Sequence, residues 1–248
     1  MNDLETTAMA RATEFRRELG LGEYEPLDLF KLLRECLDIS LVFKPLSPAV
    51  SGVFLRLGQS AVIMLNTNKT LGHQRFTAAH EYCHLRYHRG LSRRICVAGL
   101  FNQDNASERE ADYFAANLLM PAGGIALRLH KRGRGRKDVS LEDVIDLEQH
   151  YGMSHRATLI RLRHLGYLTQ KQAEAMGDGV IAMARRLGYR PDLYLPTRED
   201  RIESGYAEKA KRALDRGLIT KGRYEQLLLE AGYADLLYED EEGSDEDI

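Results

Sequence analysis

The chain has 248 residues, is 44% hydrophobic and carries a net charge of −2. That suffices for one sizeable core or two small ones, and it excludes a general nucleic-acid binder or a membrane-surface protein. No apolar run approaches the roughly 20 residues of a membrane span, the N-terminal stretch lacks the order of a secretory signal, and Cys36, Cys83 and Cys96 form neither a CxxC pair nor a disulfide framework, so a cytoplasmic protein with reduced thiols is expected.

Residues 8–37 read as two helices broken around "GLGEYEP", with Pro26 suited to the first turn of the second. The runs "DISLVF", "SGVFLRL" and "SAVIMLN" then predict a small sheet with a tight turn near "LGQS". Phe76, Ala79, His80, Cys83, His84 and Tyr87 recur at helical spacing. A second helix is predicted over residues 106–119, with Ala111, Phe114, Ala115 and Leu118 on one face and a stop before Pro121. Further on, "RLHKRGRGRKD" reads as a charged, solvated connection. The segment "SLEDVIDLEQHYGMSHRATLIRLRHLG" reads as helix, glycine turn, helix, and "ALDRGLITKGRYEQLLLEAG" as a further helix pair. The acidic run "EDEEGSDEDI", residues 239–248, cannot bury apolar surface and is expected to be disordered.

The stretch "FTAAHEYCHLRYH", residues 76–88, concentrates the chemistry. On a helix, residues four apart lie one turn above each other, so His80 and His84 can hold one ion together. Glu81 is rotated about 100° from His80 and sits beside that ion. This is the HExxH arrangement: two imidazoles hold zinc (Zn2+), and the carboxylate takes a proton from the metal-bound water.

A catalytic site of this kind takes a third protein ligand. In "NASEREADYFAANLLMP", Glu108 and Asp112 are four apart and adjoin the apolar stripe. A carboxylate at 108 would meet the ion, and Asp112 would accept the spare N–H of a ligand histidine. Two carboxylates compete for the ligand role. Ser107 with Glu110 forms a capping box on the sequence, and Asn105 with Glu108 offers a similar one. The structural task of Glu110, and its rotation of about 200° from Glu108, favour Glu108 as the ligand.

"HQRFTAAHEYCHLRYH" followed by "EREADYFAANLLMP" resembles the ImmA/IrrE family of bacterial and phage zinc metallopeptidases, over roughly residues 8–125. The resemblance implies His80, His84 and Glu108 as zinc ligands and Glu81 as catalytic base. His73, Arg75 and His88 match positions frequent in that family, without an evident role. Where the family commonly has Leu-Gly inside HExxH, this chain has Tyr82 and Cys83. A small cysteine keeps the fold, and a buried, inert thiol is expected there.

The resemblance further implies an α+β, zincin-like peptidase domain over residues 1–125; the residues beyond it read as a helical region over 126–238 that carries a helix-turn-helix-like segment. It implies a substrate as well: a helix-turn-helix transcriptional repressor or an antitoxin-like protein, in a stress, mobile-element or toxin–antitoxin circuit. The segment "HYGMSHRATLIRLRHLGYLT" has Gly152 at its turn and Ser154 as N-cap, with His155, Arg156, Arg161 and Arg163 expected on the exposed side of its second helix. Packing or substrate recognition is the preferred task of this segment over direct DNA reading, because one such unit binds DNA weakly without a dimer. The competing function is a DNA-binding or partner-binding regulator with a structural or vestigial metal site, closed by Cys83 or His88.

Overall fold

A computed structural model describes residues 3–58, 60–88, 93–97, 105–135, 137–231 and 233. Helix α1, Asp3–Glu18, has acidic residues in its first turn and Arg16 and Arg17 in its last, as the helix dipole favours. Its stripe of Ala8, Ala12 and Phe15 is buried. Arg16 is buried too: its Nε donates to the Gly22 carbonyl (2.8 Å) and a terminal nitrogen to that of Leu118 (2.7 Å). Gly20, at φ +69°, turns the chain away after the helix.

The second helix starts later than the sequence suggests. Asp28 accepts the Lys31 N–H and opens α2, Leu29–Lys31, which continues as a π-helical stretch, Leu32–Cys36. Pro26 therefore lies outside the first turn, because the side chain that can cap is two residues downstream.

The three expected strands form: β1, Ile39–Lys44; β2, Val50–Leu57; and β3, Ser60–Asn66. β1 buries Ile39, Leu41 and Phe43 at period two. β2 and β3 make an antiparallel hairpin (Phe54 opposite Ile63), whereas β1 pairs with β3 in parallel (Leu41 opposite Ile63). Helix α3, Leu71–Tyr87, packs across β2 and β3, its start fixed by Thr70, which accepts the His73 N–H.

Then come β4, Arg93–Val97, antiparallel to β2, and α4, Ala106–Leu119, which packs between α1 and α3. The bounds of α4 are those the sequence predicts. Its N-cap is Asn105 alone: the Asn105 side chain accepts both the backbone N–H and the hydroxyl of Ser107. The Ser107–Glu110 capping box is thus not formed, and the Glu110 carboxylate lies elsewhere.

Beyond Pro121 the chain is mostly helical: α5, Ala122–Lys131; α6, Leu141–Tyr151; α7, His155–His164; α8, Gln170–Ala175; and α9, Val180–Arg186. Gly152 is left-handed (φ +68°) at the end of α6, and Ser154 caps α7. Both features follow the sequence reading. The basic connection is less free than expected. Arg132 and Arg134 reach the fully buried Asp143 (2.7 and 2.8 Å), and Arg128 reaches Asp146 (2.5 Å).

A 3-10 turn, Pro191–Tyr194, leads to β5, Arg201–Glu203, which pairs antiparallel with β1. The sheet order is β4-β2-β3-β1-β5. Helices α10, Tyr206–Asp215, and α11, Lys221–Glu230, are the expected final pair. One apolar core runs from Ala8 to Leu168, so helices on both sides of residue 125 share it. No helix among the described residues is long and apolar enough to cross a membrane. The acidic run 239–248 lies outside the described residues.

Candidate metal centre

α3 and α4 lie side by side, and His80 and His84 of α3 face Glu108 and Asp112 of α4. The Nε2 atoms of His80 and His84 are 3.1 Å apart. Glu108 crosses from α4, with Oε1 at 3.0 Å from His84 Nε2 and Oε2 at 3.4 Å from His80 Nε2. The three donor atoms fall within 4.8 Å of one another, and all three residues are buried. Two imidazole nitrogens and a carboxylate converging from two helices form a donor set that fits a zinc ion.

The rest of each ring is also held. His80 Nδ1–H donates to Asp112 Oδ1 at 2.9 Å, which fixes the tautomer and leaves Nε2 as an acceptor. His84 stacks on Phe54 of β2, with ring centroids 5.9 Å apart. Its Nδ1 lies 2.7 Å from Nδ1 of His88, whose Nε2 is 3.3 Å from Glu110 Oε2, and Glu110 pairs in turn with Arg11 of α1. The order of protons follows: with Nε2 of His84 as a ligand, its Nδ1–H donates to His88, and His88 Nε2–H donates to Glu110.

The electrostatics of the cluster favour a positive charge. Burial works against a charged His80, yet its contacts with Asp112 and Glu108 outweigh that and raise it to about 10. Burial would push Glu108 up, but the two histidines hold it far below the usual carboxylate range. His84 is lowered, first by burial and then by the charges of His80 and His88.

Glu81 is fully buried next to His80, where α3 meets β2. A Cβ at Gly52 would stand 2.6 Å from Thr77 and 3.6 Å from Glu81 Oε1, so glycine lets β2 approach the helix at the level of this carboxylate. Cys83 is fully buried, and its thiol is pushed up chiefly by burial and then by the charge of Glu110. It is the inert cysteine expected.

The structure therefore brings together His80, Glu81, His84, Glu108 and Asp112. The sequence reading left His88 without a role and Glu110 as a cap; both belong to the hydrogen-bonded chain behind His84. A signal for His88 was present, since residues 80, 84 and 88 recur every four. None existed for Arg11, which comes from another helix. On α7, Arg156 and Arg163 are exposed as expected, but His155 and Arg161 are engaged internally. His155 bonds Glu148 (2.6 Å) and the Met176 carbonyl (2.8 Å), and Arg161 bonds Asn117 of α4 (2.7 Å).

Residues 34–163 match the family model Peptidase_M78, described as the IrrE N-terminal-like domain. No curated protein matches the chain.

Proposed function

Because the chain belongs to the Peptidase_M78 family of IrrE N-terminal-like domains, we propose that it is a zinc-dependent endopeptidase that cleaves or controls a helix-turn-helix repressor or an antitoxin-like protein. The observation that carries this reading is the convergence of His80, His84 and Glu108 within 4.8 Å with Glu81 buried beside them. When bound, zinc supplies Lewis acidity, which acidifies water and polarises a carbonyl oxygen. His80 and His84 present Nε2 to it, and Glu108 presents its carboxylate. Asp112 and His88 hold the two rings by their far nitrogens. Glu81 takes the proton of the attacking water on its carboxylate and delivers it to the departing amine nitrogen.

The competing reading is a structural metal closed by a fourth side chain. His88 meets His84 at Nδ1, the edge of the ring away from Glu108, and Cys83 is buried outside the group of converging donor atoms. Neither is arranged as a fourth donor, which favours the hydrolytic reading. For direct DNA reading, α7 offers Arg156 and Arg163 but not His155 or Arg161, which favours a packing or recognition task for that segment. The helices beyond residue 122 are the surface we assign to docking the repressor, because backbone pairing at a sheet edge recognises little sequence.

The test uses Glu81→Gln on the full chain, with a helix-turn-helix protein encoded beside it as substrate. About one zinc per chain and an unchanged melting temperature, with cleavage lost, are expected. Cleavage by Glu81→Gln at the wild-type rate, or full zinc occupancy in His80→Ala/His84→Ala, would overturn the reading.

A further inference from the structure

A cavity of about 500 Å³ lies apart from the metal centre, between the first turns of α3 and the segment that follows the 3-10 turn. One wall is Phe30, Phe43 and Leu71; the other is Leu195, Pro196 and Thr197, which lie beyond the family match. Gln74 and Thr197 are joined at 3.1 Å across it. The second wall is held to the first by backbone bonds, Leu71 N–H to the Leu195 carbonyl (3.1 Å) and Arg198 N–H to the Thr67 carbonyl (3.0 Å).

The charges lining this cavity are unevenly matched. Glu199 pairs with Arg201 at 2.9 Å, and Asp192 pairs with Arg190 at 2.9 Å. Arg201 also pairs with Glu203 and lies over the Phe43 ring, 4.0 Å from its centroid. Arg75 is left. Its Nε is buried with no hydrogen-bond partner, and no ion pair is made to its guanidinium among the described residues. The group is held by packing, 5.9 Å from the Phe30 centroid and against the Gly152 turn, where it leaves no room for a Cβ. Burial lowers its pKa, with the charge of Asp28 opposing this through space.

In a cleft whose other charges are paired, a guanidinium without an ion pair is the group that a bound anion would stabilise. Leu71, Leu195 and Pro196 line the cavity beside this group, and Phe30 and Phe43, edge-to-face at 5.1 Å, back it. The volume is that of a small-molecule site. We propose that this cavity binds a small organic carboxylate, its carboxylate on Arg75 and its apolar body against Leu71, Leu195 and Pro196. Such a ligand would bridge α3, five residues before His80, to the segment 195–199, and so act as an effector separate from the zinc ligands.

The probe is benzoate, with benzamide as its uncharged counterpart, titrated into the zinc-loaded full chain and followed by amide NMR. Expected are saturable shifts at Leu71 and Thr197 with a dissociation constant on the order of 1 mM or lower. Binding should weaken at least about tenfold for benzamide and for Arg75→Gln. Leu195→Trp, which fills the cavity without touching the charge, should abolish it, and this variant decides the matter if Arg75→Gln does not fold. Absence of saturable shifts up to about 10 mM, equal binding of benzamide, shifts confined to the residues around His80 and His84, or wild-type binding by Leu195→Trp would each overturn the proposal.

Discussion

The Nδ1 atoms of His84 and His88 stand 2.7 Å apart, so one imidazole of the candidate metal centre is aimed by another, one helical turn further on. His88 is the C-cap residue of α3, and its position depends on Glu110 and, behind that, Arg11. His80 is aimed by the simpler device of a single carboxylate, Asp112. The two ligand rings are thus held by unequal supports, one direct and one through three residues.

That inequality is measurable. His88→Ala should lower zinc affinity by about 10–100-fold, as loss of an orienting partner does, while far-UV circular dichroism stays unchanged. Asp112→Asn should fall in the same range, and Glu110→Gln should cost less, because it acts one step further away. A competition titration against a chelating dye gives the three values. Wild-type affinity in His88→Ala would show that the chain behind His84 does not orient it.

Zinc removal should destabilise the chain, since His80, Glu81, His84 and Glu108 are all buried and three of them converge on one point. At free zinc about 100 times the dissociation constant, binding contributes about 2.7 kcal/mol. Chelation should therefore lower the melting temperature by several degrees, and zinc should restore it. Calcium should not, because two imidazoles and one carboxylate are a poor set for a hard cation. Equal rescue by calcium would contradict the donor assignment.

His73 supplies a pH dependence distinct from the metal ligands. Burial, helped by Lys69 and Arg156, lowers it to about 4, and its Nε2 accepts from the Ser51 hydroxyl at 2.9 Å. Between the ordinary histidine value near 6.5 and about 4, the unfolded chain takes up a proton that the folded chain refuses. Stability should thus fall as pH drops through that window, by about 3 kcal/mol at most. His73→Gln keeps an acceptor for Ser51 and should flatten that part of the curve. Identical urea-unfolding profiles for the two proteins from pH 7 to about 4 would count against it.

Gly72 lies at the start of α3 with the backbone of Ser154 against it: a Cβ would stand 2.8 Å from both Cα and N of that residue. Alanine is favoured over glycine in a helix by about 1 kcal/mol, but here the clash is with backbone that cannot swing aside. Gly72→Ala should be destabilising by about 1–3 kcal/mol in urea unfolding. The control is Gly222→Ala on α11, where a Cβ meets nothing within 4 Å and the change should be neutral or stabilising.

The sequence by itself determined what depends on neighbours along the chain. The i, i+4 spacing of His80 and His84, the limits of α4 at Asn105 and Pro121, the three apolar strands, and the Gly152 and Ser154 turn are all local chemistry, written within a few residues of where they act. Glu108 could be ranked above Glu110 by helix rotation and by the capping role expected of Glu110. Only the rotation is local geometry that holds in the structure. Tertiary structure decided what needs partners distant in sequence. Glu110 left its expected cap for His88 and Arg11, and Arg161 left the surface for Asn117. The three residues of β5, two of them charged, became a strand only because the edge of β1 was open to them. A strand that short has no periodicity to read, and a buried charge declares its purpose only when the opposite charge is brought beside it.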